Sequence, residues 1–347
     1  IEKLTEKASL DEIRVNLRNI LDSVNDESVT SKWILEPARR YNGNCYEVDP
    51  EIFAKNLQQI IETYSLDRTV YYLKRLKKSM VKVKTGRIND INLNRWKEYE
   101  FLHTDSLWIE KKRERAGKHM ASYWGNFIPQ IPQQMMYRFT RQGDYVLDTF
   151  SGSGTTMIEC RRMGRNGIGI ELNPSVVSQS TELIESQENP YEVKTEVVQG
   201  NSATIDYEQV LKERNIDKVQ LIIMHPPYFD IIKFSENEDD LSNANDAEDF
   251  LDRLQDIARN SAKVLEDDRY MCLVIGDKYT GGEWIPLGFQ AMQRVLDTRQ
   301  FKLKSIIVKN FQETKGKRSQ QELWRYRAMV GGFYIFKHEY IFLFQKH

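Results

Sequence analysis

One histidine, two prolines and one tyrosine close a short apolar run, residues 218–224, as Met224-His225-Pro226-Pro227-Tyr228. The run reads as a buried strand, and the prolines stop it and stiffen the turn that follows. Carbonyls in such a turn stay out of a regular ladder, so one of them can accept a hydrogen bond from a ligand. Tyr228 offers a flat ring for stacking. Together these residues suit a planar heterocycle that carries an amino group. Earlier in the chain, Tyr145-Val146-Leu147-Asp148 leads into a glycine-rich turn, Phe150-Ser151-Gly152-Ser153-Gly154-Thr155. A helical segment, 156–163, and a second apolar run closed by Glu171 follow. Glycine lets backbone approach a ligand closely. A carboxylate at the end of the second strand can accept from two ribose hydroxyls.

Strand, tight turn, helix, strand is the opening of a doubly wound α/β domain, whose ligands sit beyond the carboxyl ends of the strands. The remaining strands are read at 195–199, 218–224, 270–276, 302–309 and 338–344. With 145–148 and 167–170 they make a seven-stranded Rossmann-like sheet with helices on both faces. The two motifs, FSGSGT and IMHPPY, each after a strand and in this order, resemble those of the S-adenosylmethionine-dependent DNA methyltransferases that modify adenine N6 or cytosine N4. The resemblance covers roughly residues 95–347.

That resemblance implies S-adenosylmethionine as cofactor, held by Asp148, Phe150, Gly152, Gly154, Thr155 and Glu171. It places Phe127 and Pro129 over the methionine end and Asn201 near the adenine amino group, and it requires no metal. It makes His225, Pro226, Pro227 and Tyr228 the catalytic group. The Pro226 carbonyl and the side chain at 225 would accept from the target amino group, and Tyr228 would stack on the flipped base. The family has Asp, Asn or Ser at the first motif position, and this chain has His225. Histidine accepts only through an unprotonated ring nitrogen. Activity is therefore expected to fall as pH drops through the ordinary histidine pKa of about 6.5.

Residues 1–90 read as three helices, a helical region for DNA recognition or partner binding. Ser9 and Glu12 have capping-box spacing, and Asp49-Pro50 starts the second helix. The third, from about Ser65, carries Lys74, Arg75, Lys77 and Lys78 with almost no acid among them. A solvated face is the plain reading, and phosphate contact is the functional one. Residues 91–118 read as a connector and 119–347 as the catalytic domain. Between the last two strands, 310–337 reads as a long loop with Lys315, Lys317, Arg318, Trp324, Arg325 and Arg327. Basic and aromatic residues interleaved in this way suit contact with DNA. The acidic run 236–249 reads as a mobile lid or as the cap of a helix at 247–265.

The 347 residues hold 50 basic and 51 acidic side chains, so any DNA-binding surface must be local. Cys45, Cys160 and Cys272 make no metal spacing, and the latter two fall within a helix and a strand. Buried thiols and the lack of a membrane-spanning run or signal peptide fit a reducing, cytoplasmic setting, near the nucleoid if the source is bacterial. Double-stranded DNA is the expected partner. Sequence recognition must come from the N-terminal helices, from 310–337, or from a partner protein for recognition or restriction. Adenine is preferred over cytosine only because adenine enzymes are commoner. RNA, a glutamine side chain, or a catalytically inactive DNA-binding subunit are the competing readings, the last favoured by His225.

Overall fold

The computed structural model describes residues 9–25, 49–120, 123, 125–311 and 321–347. Backbone packing divides the chain into two compact units, 1–102 and 103–347. The boundary falls inside the stretch read as a connector.

The first unit holds α1 (Leu10–Asn25), α2 (Pro50–Ile61) and α3 (Leu66–Val81). Their starts follow from local chemistry. Glu12 and Ser9 bond each other's backbone N–H, at 2.8 and 3.3 Å. Asp49 accepts from the Ile52 amide ahead of Pro50, and Ser65 caps α3 through the Arg68 amide. Ile13, Leu17, Phe53, Leu57, Ile60, Leu73 and Leu76 recur at helical spacing and form one buried cluster.

The second unit is built on an eight-stranded sheet in the order β1-β9-β10-β6-β5-β2-β3-β4. These are β1 (Leu107–Trp108), β2 (Tyr145–Asp148), β3 (Asn166–Glu171), β4 (Thr195–Gln199), β5 (Val219–Met224), β6 (Leu265–Ile275), β9 (Phe301–Asn310) and β10 (His338–Lys346). All pairs are parallel except the two made by β10. The seven expected strands are all present. The eighth, β1, adds only two residues at the edge, too few to show a strand period. A separate hairpin, β7 (Lys278–Thr280) and β8 (Glu283–Ile285), turns at Gly281-Gly282.

Alternation along the strands splits the core between two faces. Leu147, Ile168, Ile170, Ile222, Met224, Leu273 and Phe342 share a cluster with α7 (Tyr207–Lys212), α8 (Ala247–Ala262) and α9 (Leu287–Asp297). The residues between them, such as Val146, Ile223, Cys272 and Ile341, are buried as well. Helices cover both faces. Cys160 and Cys272 are buried free thiols, and Cys45 lies outside the described residues. No described helix is long and apolar enough to cross a membrane.

The strand order sets the site. From β2 the chain runs outward to β3 and β4, then returns to β5 on the other side of β2. This reversal is the switch point at which open α/β sheets bind ligands. The turn after β2 leads into α5 (Thr155–Met163), whose N-cap Gly154 has φ 80°. A Cβ there would lie 2.7 Å from Ile184 Cδ1. Gly154→Ala is therefore expected to lower stability by about 1–3 kcal/mol, read as a lower denaturation midpoint with an unchanged slope.

One expectation is corrected. Residues 310–337 are not one loop, because α10 (Gln321–Gly331) forms within them. Its Leu323, Tyr326, Met329 and Val330 are all exposed. A helix without a buried apolar face shows no clear 3.6-residue stripe, so periodicity could not reveal it.

Candidate active site

A cleft of about 900 Å³, open to solvent, lies at the carboxyl ends of β2, β3, β4 and β5. Each strand delivers one piece of its wall. After β2 come Thr149 to Gly152 and Thr155; at the end of β3, Glu171 to Asn173; after β4, Gly200 to Ser202; after β5, His225 to Pro227.

Glu171 is anchored by backbone. Its two carboxylate oxygens accept from the Gly152 amide at 3.0 Å and the Asn173 amide at 2.9 Å. A carboxylate has about four lone-pair sites, so it can still accept from a ligand. Burial raises the pKa of Glu171 against the opposing amides of Asn173, Gly152 and Leu172, and Asp240 adds to the rise. Asp148 is buried below the turn. It accepts from the Phe150 amide and the Thr156 hydroxyl, and burial lifts it to about 6. It shapes the glycine turn and is not on the cleft wall. Gly154 and Pro129 are also off the wall, Gly154 heading α5 and Pro129 preceding α4 (Gln130–Phe139).

Phe127 and Phe150 line the cleft, as does Asn201. The Asn201 side-chain oxygen already accepts from the Ala203 amide at 2.8 Å, so turn capping is one of its jobs. Phe127 also meets the His225 ring edge-on, with centroids 4.8 Å apart. His225, Pro226 and Pro227 line the cleft, and the Tyr228 ring does not. Instead it packs on Gly276, where a Cβ would stand 3.0 Å from the ring. Its hydroxyl donates to Glu339 at 2.7 Å and lies 3.2 Å from His225 Nε2.

Burial holds His225 down at about 4, Glu339 opposing and Lys309 reinforcing the shift. The expectation of a fall in rate near pH 6.5 is thus corrected: the imidazole is neutral well below that value. Activity is expected to stay flat between roughly pH 5.5 and 8 as far as His225 is concerned, and to fall only as the ring takes up a proton near its lowered pKa. Single-turnover rates across that range check this. A drop centred near pH 6.5 would mean that the ring is open to water.

Several contributors were missed. Tyr123, Asn126, Phe234, Asp239 and Asp240 all line the cleft. Tyr123 stacks with Phe234 at 6.5 Å. Asn126 exchanges bonds with the Ser153 hydroxyl, which ties this segment to the glycine turn. The acidic run divides its work: Asp246 caps α8, while Asp239 and Asp240 face the cleft. Loops far apart in sequence assemble this wall, and no single spacing encodes it. Of the basic residues, Lys74, Arg75 and Lys78 are exposed on α3 and Lys77 is half-buried. Arg325 and Arg327 are exposed on α10, with Arg327 over the half-buried Trp324 ring at 5.3 Å. Lys315, Lys317 and Arg318 lie outside the described residues.

A family model described as DNA methylase matches residues 21–182 and 219–347. The chain belongs to this DNA methylase family. Among its relatives is the type II methyltransferase M.MjaII of Methanocaldococcus jannaschii, 42% identical over 68 residues, 20% of this chain and 13% of that one. Another is the tRNA (guanine(10)-N2)-dimethyltransferase of the same organism, 31% identical over 126 residues, 36% of this chain and 34% of that one. The chain thus spans about a third or less of these curated relatives. TrmN from Thermus thermophilus superposes with a TM-score of 0.41 at 16% identity, over 64% of this chain and 49% of its own.

S-adenosylmethionine is the cofactor of a DNA methylase of this kind, and the cleft can be tested for it. Three hydroxyls on its wall, Thr149 Oγ1, Ser151 Oγ and Thr155 Oγ1, are buried with no partner among the described residues. Buried hydroxyls normally find one. Unpaired hydroxyls, a carboxylate with spare lone pairs and aromatic walls fit a ligand with ribose, amino-acid and heterocyclic parts. Among the described residues no three His, Cys, Asp or Glu side chains are grouped to hold a metal ion.

Proposed function

We propose that this DNA methylase moves a methyl group from S-adenosylmethionine to the exocyclic amino nitrogen of a base turned out of duplex DNA, adenine N6 ahead of cytosine N4. The observation that carries the reading is that His225, Pro226 and Pro227 share one cleft with Gly152, Glu171 and Asn201. The acceptors for an amino group and the groups suited to a nucleoside cofactor open on the same space.

When bound, S-adenosylmethionine supplies an electrophilic methyl group on a cationic sulfur. Glu171 and the turn after β2 would hold it, with Phe150, Asn201 and Tyr123 lining the same cleft. The target nitrogen is conjugated with its ring and is a poor nucleophile. A base inside the duplex is also out of reach, so it must be extruded. The Pro226 carbonyl and the unprotonated nitrogen of His225 accept from the two amino hydrogens. These bonds strengthen as the nitrogen becomes tetrahedral, so they stabilise the transition state more than the ground state. The expected stacking of Tyr228 on the base is not carried into this reading, because its ring lies off the cleft wall and its hydroxyl is held by Glu339 beside His225. Lys74, Arg75, Lys77, Lys78, Arg325 and Arg327 would contact phosphates, which position the duplex without reading it.

The test offers labelled cofactor with duplex DNA and with an RNA of the same sequence. Label retained by the DNA is the expected result. Label confined to the RNA would favour the second reading, an RNA base, to which the tRNA methyltransferase relative points. No label in either, with cofactor still bound, would favour a DNA-binding subunit.

A further inference from the structure

His225 sits at one end of a polar chain that runs inward from the half-buried His225 and Tyr228 to the buried Glu339 and Lys309. Its Nε2 lies 3.2 Å from the Tyr228 hydroxyl, which lies 2.7 Å from Glu339 Oε2. The other Glu339 oxygen is 2.8 Å from Lys309 Nζ. Glu339 and Lys309 face each other across the β10–β9 ladder and are both buried. Lys309 also donates to the Asn310 carbonyl and lies over the Phe311 ring. The ammonium compensates the buried carboxylate, which lets both stay charged.

The protons along this chain can be placed by counting donors. An ionised carboxylate only accepts, so the one Tyr228 proton points at Glu339. The Tyr228 oxygen can then only accept from His225, and Nε2 must carry the imidazole proton. A neutral imidazole has one N–H, so Nδ1 is left as an acceptor. Among the described residues no hydrogen bond to Nδ1 is present, and His225 is one of the residues that line the cleft.

We propose that Glu339 and Lys309 are positioning residues for methyl transfer, which fix His225 as the Nε2–H tautomer through the Tyr228 hydroxyl and so leave Nδ1 to accept from the target amino group. This rests on the acceptor role given to His225 above. It explains why a histidine can stand where the family has Asp, Asn or Ser: the ion pair removes the tautomer ambiguity that those side chains never have.

The chain can be reversed by removing one charge. In Glu339→Gln the amide oxygen stays with Lys309 and the NH₂ turns to Tyr228. The Tyr228 hydroxyl must then donate to Nε2, and the imidazole proton moves to Nδ1. The tautomer of each of the five histidines can be read from imidazole ¹⁵N shifts in labelled protein, with no substrate present. Wild type is expected as Nε2–H at His225, and E339Q as Nδ1–H. Because Nε2–H is also the commoner form of a free histidine, the switch is the deciding result. A wild-type Nδ1–H form, or an E339Q protein that keeps Nε2–H, overturns the proposal.

Transfer gives the second readout. E339Q is expected to lower kcat by about tenfold to a hundredfold with KM for S-adenosylmethionine unchanged, since a donor now faces the amino hydrogens. In a His225→Asn background, whose amide oxygen needs no tautomer, the same change is expected to cost less than about threefold more, a coupling that a purely structural role would not produce. Equal losses in both backgrounds overturn the positioning role. A tautomer switch without loss of transfer would instead sink the acceptor role of His225, which separates that failure from a failure of the relay.

Discussion

His225→Phe is expected to lower the single-turnover rate of methyl transfer by about a hundredfold and to leave S-adenosylmethionine affinity within about threefold, as expected when one preorganised hydrogen-bonding partner of a transition state is removed. Phenylalanine keeps a flat ring against Phe127, whose centroid is 4.8 Å away, but has no lone pair. The change therefore separates acceptance from packing. If His225 only orients the turn while the Pro226 carbonyl acts alone, the variant would retain nearly full rate. The remaining activity is expected from the Pro226 carbonyl and the alignment of the two substrates.

Glu171→Ala is expected to weaken S-adenosylmethionine by about a hundredfold or more. Two hydrogen bonds from hydroxyls to a charged acceptor are lost, at roughly 1.5–3 kcal/mol each in a buried setting. The Gly152 and Asn173 amides also lose the oxygens that hold them, so the wall of the cleft loosens as well. Glu171→Gln keeps one acceptor oxygen and should fall between the two. Calorimetric titration of the cofactor, alongside a DNA-binding assay that neither variant should change, checks this. Equal cofactor affinity in all three proteins would mean that Glu171 serves only the turn.

The parts of the molecule legible in the sequence are those set by local rules. Tyr145 to Glu171 announces strand, turn, helix and strand because apolar runs, glycines and a terminal carboxylate lie within one βαβ unit. Met224 to Tyr228 announces a strand end because proline cannot continue a ladder. The caps at Ser9, Asp49 and Ser65 are equally local. What stayed hidden depends on long-range placement. Phe234 and Asp240 reach the cleft because the segment after Tyr228 returns over the β2 turn, and Tyr123 meets them from a segment before it. Glu339 joins His225 only because β10 packs beside β6 and opposite Lys309 on β9. The lowered pKa of His225 is hidden in the sequence for the same reason. Desolvation is a property of the fold around a side chain, and the residues beside it in sequence do not report it.

The most direct measurement is the chemical identity of the methylated base. Duplex DNA of mixed sequence is incubated with the wild-type protein and isotopically labelled S-adenosylmethionine, digested to nucleosides and analysed by mass. An acceptor pair made by His225 and the Pro226 carbonyl predicts label on an exocyclic nitrogen, as N6-methyladenine ahead of N4-methylcytosine. Label on a ring carbon or ring nitrogen would contradict it, because neither atom carries the amino hydrogens that those two acceptors are placed to receive.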